Sequence, residues 1–395
     1  MDIKKYIYCV GIKSLLCLSI FYLLSCSESK DNFFTEHESV SIKIDLEHDT
    51  EPLKLSQYTI DSVCSLTFPD TTKIVAVTRF MVKNKRIYVM DSEISQSVYV
   101  FDAQGRYLHK LGERGRAQDE YIGGPTNFFV DDSNNVHVFD QMGQQIKVFN
   151  TKGHFKRNVA TGHEFPHSIG LLNNKRYAYC ITSTNPQSPS LMSIDLNGSN
   201  SEILIPSKPY YRYQHSNITF FSNGNRLSHI PILSDSVLVF KGDSLEKIVH
   251  FDFDGKFLPY EEPEIPITSD IEKFRKIKQY KGVWSLDQYQ ETDSNALLIY
   301  IHHSNVKSWL YNKRTHKVIQ GNQLFDGVIP FRSVYYLRGN QIIALVEQEN
   351  VDIYKDLYEN MNDGFKENLA KTPSQVRDVL EGRIKTPALF YITVK

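Results

Sequence analysis

The sequence predicts an all-β fold: a six-bladed β-propeller with short helical insertions, its ring closed by N- and C-terminal strands. Three observations carry this expectation. One hairpin phrase recurs along the chain. Aromatic residues are abundant, with 23 Tyr and 23 Phe among 395 residues, and such residues favour strands. The length also exceeds a usual single core, which points to two domains or one large repeat architecture.

The repeated phrase begins with NKRIYVMD at residues 84–91, followed by SVYVFDAQGRYLHKLG. It returns as NNVHVFD and QIKVFNTKGHFKRNV, then as NKRYAYCIT and LMSIDLNGSNSEIL. NRLSHIPIL with SVLVFKGDSLEKIVHF, and NALLIYIHH with SWLYNKRTHKVIQG, are the fourth and fifth copies. NQIIALVEQ opens a sixth. The leading residues Asn84, Asn134, Asn174, Asn225, Asn295 and Asn340 are spaced 50, 40, 51, 70 and 45 apart. Each copy has a polar turn, a strand, a short loop and a hairpin. The hairpin turns Gln104-Gly105, Lys152-Gly153 and Asn197-Gly198 supply the positive φ that tight turns need. One four-stranded sheet per copy, repeated radially, makes a propeller. A β-sandwich seldom repeats one phrase so often, and a solenoid repeat is shorter.

A propeller ring closes when one blade mixes strands from both ends of the chain. SVSIKID at 39–45 is the N-terminal candidate, and PALFYITVK at 387–395 the C-terminal one. In the latter, Leu389, Tyr391 and Thr393 alternate with Phe390, Ile392 and Val394, so both faces can be buried. Two segments depart from the strand pattern. At about 268–281, Ser269 and Glu272 form a capping box, with Ile271, Phe274 and Ile277 on one helical face. At about 352–383, Ile353, Leu357 and Met361 recur at every fourth residue. A second helix there starts at Thr372 with Pro373 in its first position and ends at Gly382.

The chain begins with a targeting pattern. Lys4, Lys5 and Lys13 precede an uncharged stretch at 14–24, well short of the ~20 residues that span a bilayer. Leu23-Leu24-Ser25-Cys26 resembles a lipobox, so Cys26 is the expected lipidation site. The expected organisation is a signal peptide at 1–25, a tether at 26–38 and the propeller at 39–395. The predicted location is the cell envelope, lipid-anchored. The outer membrane is preferred to the inner because no Asp follows Cys26. The formal net charge is −1, with neither the basic excess of a nucleic-acid binder nor an acidic tail. Beyond the leader and Cys26, Cys64 and Cys180 remain, read as two free thiols.

Residues 53–395 resemble the six-bladed β-propeller lipoproteins of Bacteroidetes, which are similar to NHL-type propellers. The resemblance rests on the hairpin motif of Phe101, Asp102, Gly105 and Tyr107, on Glu120-Tyr121, on the late helical insert and on Pro387-Ala388-Leu389. The family's Gly-Pro-Gly-Glu-Tyr turn is replaced here by GRAQDEY at 115–121. The resemblance implies fold and location and adds little chemistry, since such folds host enzymes and binding proteins alike. It also implies O-glycosylation at the Asp-Ser-apolar strings, with Ser62, Ser236 and Ser244 as acceptors.

Candidate sites are sparse. Tyr210, Tyr211, Arg212 and Tyr213 form the densest run of residue types enriched in binding hot spots. Arg114 and Arg116 sit in a charged loop after the first hairpin. His163, Glu164 and His167 match the zinc-protease string, but Pro166 would break the helix that the string needs. His302 and His303 are adjacent in a strand pattern, so their side chains are expected on opposite faces. No G-x-S-x-G, P-loop or G-x-G-x-x-G is present. No metal site or cofactor is expected. The favoured function is a membrane-tethered binding or scaffold protein, a monomer, recognising a glycan, peptide or protein partner. The alternative is a propeller enzyme, a lyase, lactonase or hydrolase, with a metal at the central channel.

Overall fold

Repeated hairpins of alternating apolar residues leave each sheet with two greasy faces, and only neighbouring sheets can cover both. The computed structural model describes residues 37–54, 56–69, 76–162, 166–181, 190–205, 219–231, 234–258, 279–325, 335–359 and 373–395. Two strands, β1 (Glu38–Lys43) and β2 (Tyr58–Ser65), precede the first copy of the repeat. Blade I is β3 (Arg79–Lys83), β4 (Arg86–Asp91), β5 (Ser97–Asp102) and β6 (Tyr107–Leu111). Blade II is β7 (Asn127–Val130), β8 (Val136–Asp140), β9 (Gln145–Phe149) and β10 (Phe155–Ala160). Blade III is β11 (Pro166–Leu172), β12 (Arg176–Ile181), β13 (Leu191–Asp195) and β14 (Ser201–Ile205). Blade IV is β15 (Phe220–Asn223), β16 (Arg226–His229), β17 (Ser236–Lys241) and β18 (Ser244–Asp252). Blade V is β19 (Val283–Glu291), β20 (Asn295–His302), β21 (Asn305–Asn312) and β22 (Lys317–Gly321). Blade VI begins with β23 (Tyr335–Arg338) and β24 (Gln341–Val346). It continues, after helices α1 (Gln348–Glu359) and α2 (Ser374–Leu380), with β25 (Ala388–Val394).

Blade VI is the closing blade, in the order β23-β24-β25-β2. Three of its strands come from the C-terminal part of the chain and the outermost from the N-terminal part. The expected closure is therefore present, but its N-terminal member is not the 39–45 strand. That segment, β1, lies parallel to β18 as a fifth strand on the outside of blade IV. Its alternation is one-sided, with the outward residues Ser39, Ser41 and Lys43 exposed. The true closing strand hides its pattern. A bulge between Ile60 and Ser62 shifts the β2–β25 register, and a bulge interrupts the alternation that marks a strand. Between β1 and β2 the chain crosses blade V, where Thr50 N–H donates to the Gln320 carbonyl and Leu53 N–H to that of Leu324. The N-terminal segment thus ties blades IV, V and VI together.

β25 is buried on both faces, as its alternation predicts. Leu389 and Tyr391 join a cluster shared with blade I, whereas Phe390 and Ile392 join one shared with blade V. Each such fully buried side chain contributes about 1.5–3 kcal/mol of apolar burial.

The leading asparagines mark the turns between the first and second strands. Asn84 and Lys85 both have positive φ, 50° and 60°, the conformation of the mirror-image two-residue hairpin. The outer hairpins share a second device. Asp102 Oδ1 accepts the backbone N–H groups of Gln104 and Arg106. Asn150 Oδ1 and Asp195 Oδ1 do the same in blades II and III.

The late helical insert connects β24 to β25. α1 starts four residues before the expected 352; among its described side chains Asn350, Val351 and Tyr354 are buried, while Ile353 is exposed. Packing of Val351 and Tyr354 against the blade V–VI cluster chooses that face and leaves Ile353 outside it. Pro373 caps α2 rather than occupying its first turn, and Gly382 follows the helix with φ of 76°. The earlier insert, with Ser269, Ile271, Glu272, Phe274 and Ile277, lies outside the described residues. Thr372, Leu357's side chain and Met361 lie outside them too. Cys64 and Cys180 are free thiols, on blades VI and III respectively. Burial raises both thiols to about 11.

Candidate ligand-binding face and channel

Antiparallel order within each blade sorts the connections onto two faces. The turns between first and second strands and those between third and fourth strands fall on one side, the turn face. The links between second and third strands, and those between successive blades, fall on the other, the loop face. The turn face is short hairpins whose side chains bind one another across blades. Asn84 donates to Asn134 at 2.6 Å, and Asn174 to Asp132 at 2.7 Å. The loop face carries the long connections and the insert holding α1 and α2.

Buried carboxylates shape the loop face beside blades I and II. Asp140 accepts from the N–H groups of Ile122, Gly123 and Gly143. Asp91, its counterpart in blade I, accepts from those of Glu93 and Ile94. These two aspartates end the VFD and VMD strings of the repeat. The loops they brace display Ile94, Ile122 and Met142, which are 61%, 55% and 71% exposed. Three large apolar side chains are thus exposed on loops of the same face.

Arg114 and Arg116 are both exposed, in the link between β6 and β7 on this same face. That link is internally ordered. Gly115 N–H donates to the Tyr121 carbonyl and Tyr121 N–H to that of Glu113, while Tyr121 Oη donates to the Leu111 carbonyl from a buried position. Tyr210, Tyr211, Arg212 and Tyr213 lie outside the described residues, as do Cys26, His163 and Glu164. Pro166 starts strand β11, so the segment continuing to His167 is extended rather than helical. Ser62 and Ser244 are exposed; Ser236 is half-buried, and its hydroxyl donates to Asp235. His302 ends β20, and His303 takes φ of 57° in the following turn. Their rings therefore lie side by side, 4.5 Å apart, instead of on opposite faces. Among the described residues, no group of three or more His, Cys, Asp or Glu side chains is placed to hold a metal ion.

The channel is lined by β3, β7, β11, β15, β19 and β23, the innermost strands. An inner strand has an unpaired backbone edge, which must find partners. Side-chain amides supply them. Asn127 donates to the Ile169 carbonyl, and Asn223 to that of Leu337. Gln288 and Gln290 donate to the Tyr335 carbonyl, and Gln290 accepts from Leu337 N–H.

Arg79 sits among them, 7% exposed, at the loop-face end of β3. Its Nη1 donates to Asn127 Oδ1 in blade II and to the Phe220 carbonyl in blade IV. Blade IV stands opposite blade I in the ring, so the guanidinium reaches across the channel. It lies 5.0 Å from the Phe129 ring centre, 5.6 Å from that of Phe128 and 5.8 Å from that of Phe221. Burial draws its pKa down to about 9. On β16, the buried His229 stacks on the Phe220 ring at 4.3 Å. Sequence reasoning passed over Arg79. The available signal was a charge in the apolar string FMV that opens an inner strand.

Six antiparallel blades around a channel, with their long links gathered at one end, define a six-bladed β-propeller. The chain belongs to the family described as a domain of unknown function, DUF4934, which matches residues 39–376. Among curated proteins, none shows significant similarity to it. Among solved structures it is similar to a protein of Bacteroides fragilis described as exported, at 14% identity and a TM-score of 0.69. That match covers 91% of this chain and 100% of the other. A DUF4221 family member from Bacteroides vulgatus matches at 11% identity and a TM-score of 0.47, over 86% of this chain and 97% of the other. A virginiamycin B lyase from Staphylococcus aureus matches at 9% identity and a TM-score of 0.38, over 73% and 81% of the two chains. At these identities the first match bears on fold, and the weaker ones on neither ligand nor activity.

Proposed function

We propose that this protein is an exported, lipid-anchored propeller of the cell envelope that binds a glycan, peptide or protein ligand on its loop face. The observation that carries the reading is the asymmetry of the disc. One face is closed by short hairpins that bind one another. The other gathers the long links, two helices, three exposed large apolar side chains and the exposed arginines of the 112–126 link. A rigid ring under adaptable loops is a common way to present a binding surface. The leader and Cys26 support export and anchoring, and the likeness in fold to a protein described as exported agrees with export. Ser62 and Ser244 are exposed positions suited to O-glycosylation, more so than the half-buried Ser236.

Glycan and peptide arrays probed with the full chain test the binding role. Arg114→Glu with Arg116→Glu, and separately Ile122→Asp, are expected to abolish the signal. Lys152→Glu on the turn face is expected to leave it intact. Loss in the turn-face variant with retention in the others would overturn the assignment of the face. For the anchor, labelled palmitate is expected in the wild type and not in Cys26→Ala, which also leaves the membrane fraction.

A further inference from the structure

Arg79 carries a charge in a place that offers it no opposite charge. Among the described residues no carboxylate pairs with it, and the ionisable group that acts on it is the Tyr336 phenol. A guanidinium has five N–H donors in a fixed fork. Two of them, on Nη1, are committed to Asn127 and Phe220. The Nε–Nη2 edge meets no acceptor among the described residues. That edge is the one that grips a carboxylate through two parallel hydrogen bonds. The ring faces of Phe128, Phe129 and Phe221 hold the fork in place without satisfying its donors. A buried charge left without a counter-ion is costly, so such an arrangement favours an anion that arrives from outside.

We propose that the Nε–Nη2 edge of Arg79 is a carboxylate-binding subsite at the loop-face end of the channel, taking the acid group of a simple organic acid or a sugar acid. This deepens the binding reading above and rests on it for the face at which the ligand enters. The guanidinium's placement at the start of β3 puts the subsite at the same end of the disc as the long links. Asn127 is its positioning residue, since it orients the fork while donating its own amide to Ile169.

The test uses the full chain with acetate, glucuronate and their neutral counterparts acetamide and glucose. Binding is read by titration calorimetry and by line broadening of carbon-13 acetate. In the wild type, the acids are expected to bind saturably at millimolar concentration and the neutral compounds not to bind. Mutual competition between acetate and glucuronate supports a general carboxylate subsite, and binding of glucuronate alone supports a sugar acid. Arg79→Gln, checked for folding by circular dichroism, is expected to weaken the acids about tenfold or more. Arg79→Lys, which keeps the charge and loses the fork, is expected to fall between. The proposal is overturned if the wild type ignores both acids, if glucose binds as well as glucuronate, or if a folded Arg79→Gln binds as the wild type does. If Arg79→Gln fails to fold, Arg79→Lys carries the comparison, and a wild type that ignores both acids still overturns the proposal. Acid binding with silent arrays would sink the macromolecular ligand and leave the subsite standing. Array binding unchanged in Arg79→Gln would do the reverse.

Discussion

Single residues hold this ring at its seams. Gly105 has φ of 78°, and a Cβ there would lie 2.1 Å from the Ser65 carbonyl oxygen and 2.8 Å from Cys64 Sγ. It sits where the chain leaving β2 pairs with blade I, Thr67 N–H donating to the Gly105 carbonyl. Gly224, with φ of 60°, has open space around it. Gly224→Ala is expected to cost about 1 kcal/mol, from the left-handed backbone alone. Gly105→Ala adds a backbone clash and is expected to cost roughly 2–4 kcal/mol. Urea midpoints of the two variants check this, and equal shifts would show that the seam can give way. A second seam joins blades II and III through His137, which lies 2.7 Å from Tyr177 Oη and 3.2 Å from Asp131. Burial alone would raise the Asp131 carboxyl, but hydrogen bonds from His137 and Asn135 outweigh it and hold it at about 2 against an ordinary 3.8. A carboxyl depressed on folding stabilises the fold above its unfolded pKa, and that stability is lost as pH falls toward the folded value. The stability gap between wild type and Asp131→Asn is therefore expected to shrink by about 2 kcal/mol between pH 4 and pH 2. A gap that stays constant over that range would show that the carboxyl is not held down.

Strands with similar sequence patterns do different work here. β25 lies between β24 and β2 and is buried on both faces. Removing 388–395 takes away the middle of the closing blade and bares two strand edges, which invites aggregation. β1 hangs on the outer edge of blade IV, with most of its residues exposed. Removing Glu38–Lys43 leaves blade IV with its four strands and frees one edge. The first deletion is expected to lower the melting temperature of the whole protein by far more than the second, and to produce oligomers. Thermal unfolding with size-exclusion chromatography reads both. A 388–395 deletion that stays monomeric and melts within a few degrees of wild type would show that the ring does not depend on β25. The helices follow the same logic. α2 is held by Val376, Val379 and Leu380 against blade VI's neighbours, and its seven residues are too few to be stable alone.

The whole molecule divides into what neighbours along the chain can specify and what only the closed ring brings together. Turn chemistry and alternation act within a few residues. Asn84, Gly105, Gly153 and Gly198 therefore announced the hairpins, the hairpins announced the blades, and the blade count and the closure by both ends followed. The same short range explains the misplaced closing strand. The bulge in β2 disguised its period, while the tidy alternation of β1 reflects an edge with one covered side. His303 was misjudged for a related reason, because a positive φ at a turn swings a ring to the side that strand geometry forbids. Asp91 and Asp140 were visible as repeated letters, but their task of gathering N–H groups from separate loops was not. Arg79 shows the limit most plainly. Its partners, Asn127, Phe220 and the three phenylalanine rings, come from blades II and IV, and Tyr336 comes from blade VI. No local pattern links residues 79, 128, 220 and 336, because their meeting depends on six sheets closing around one axis. The order of strands is written in short-range preferences. The charge held at the channel mouth is a product of the closed ring, which removes it from water and sets aromatic rings and amides around it.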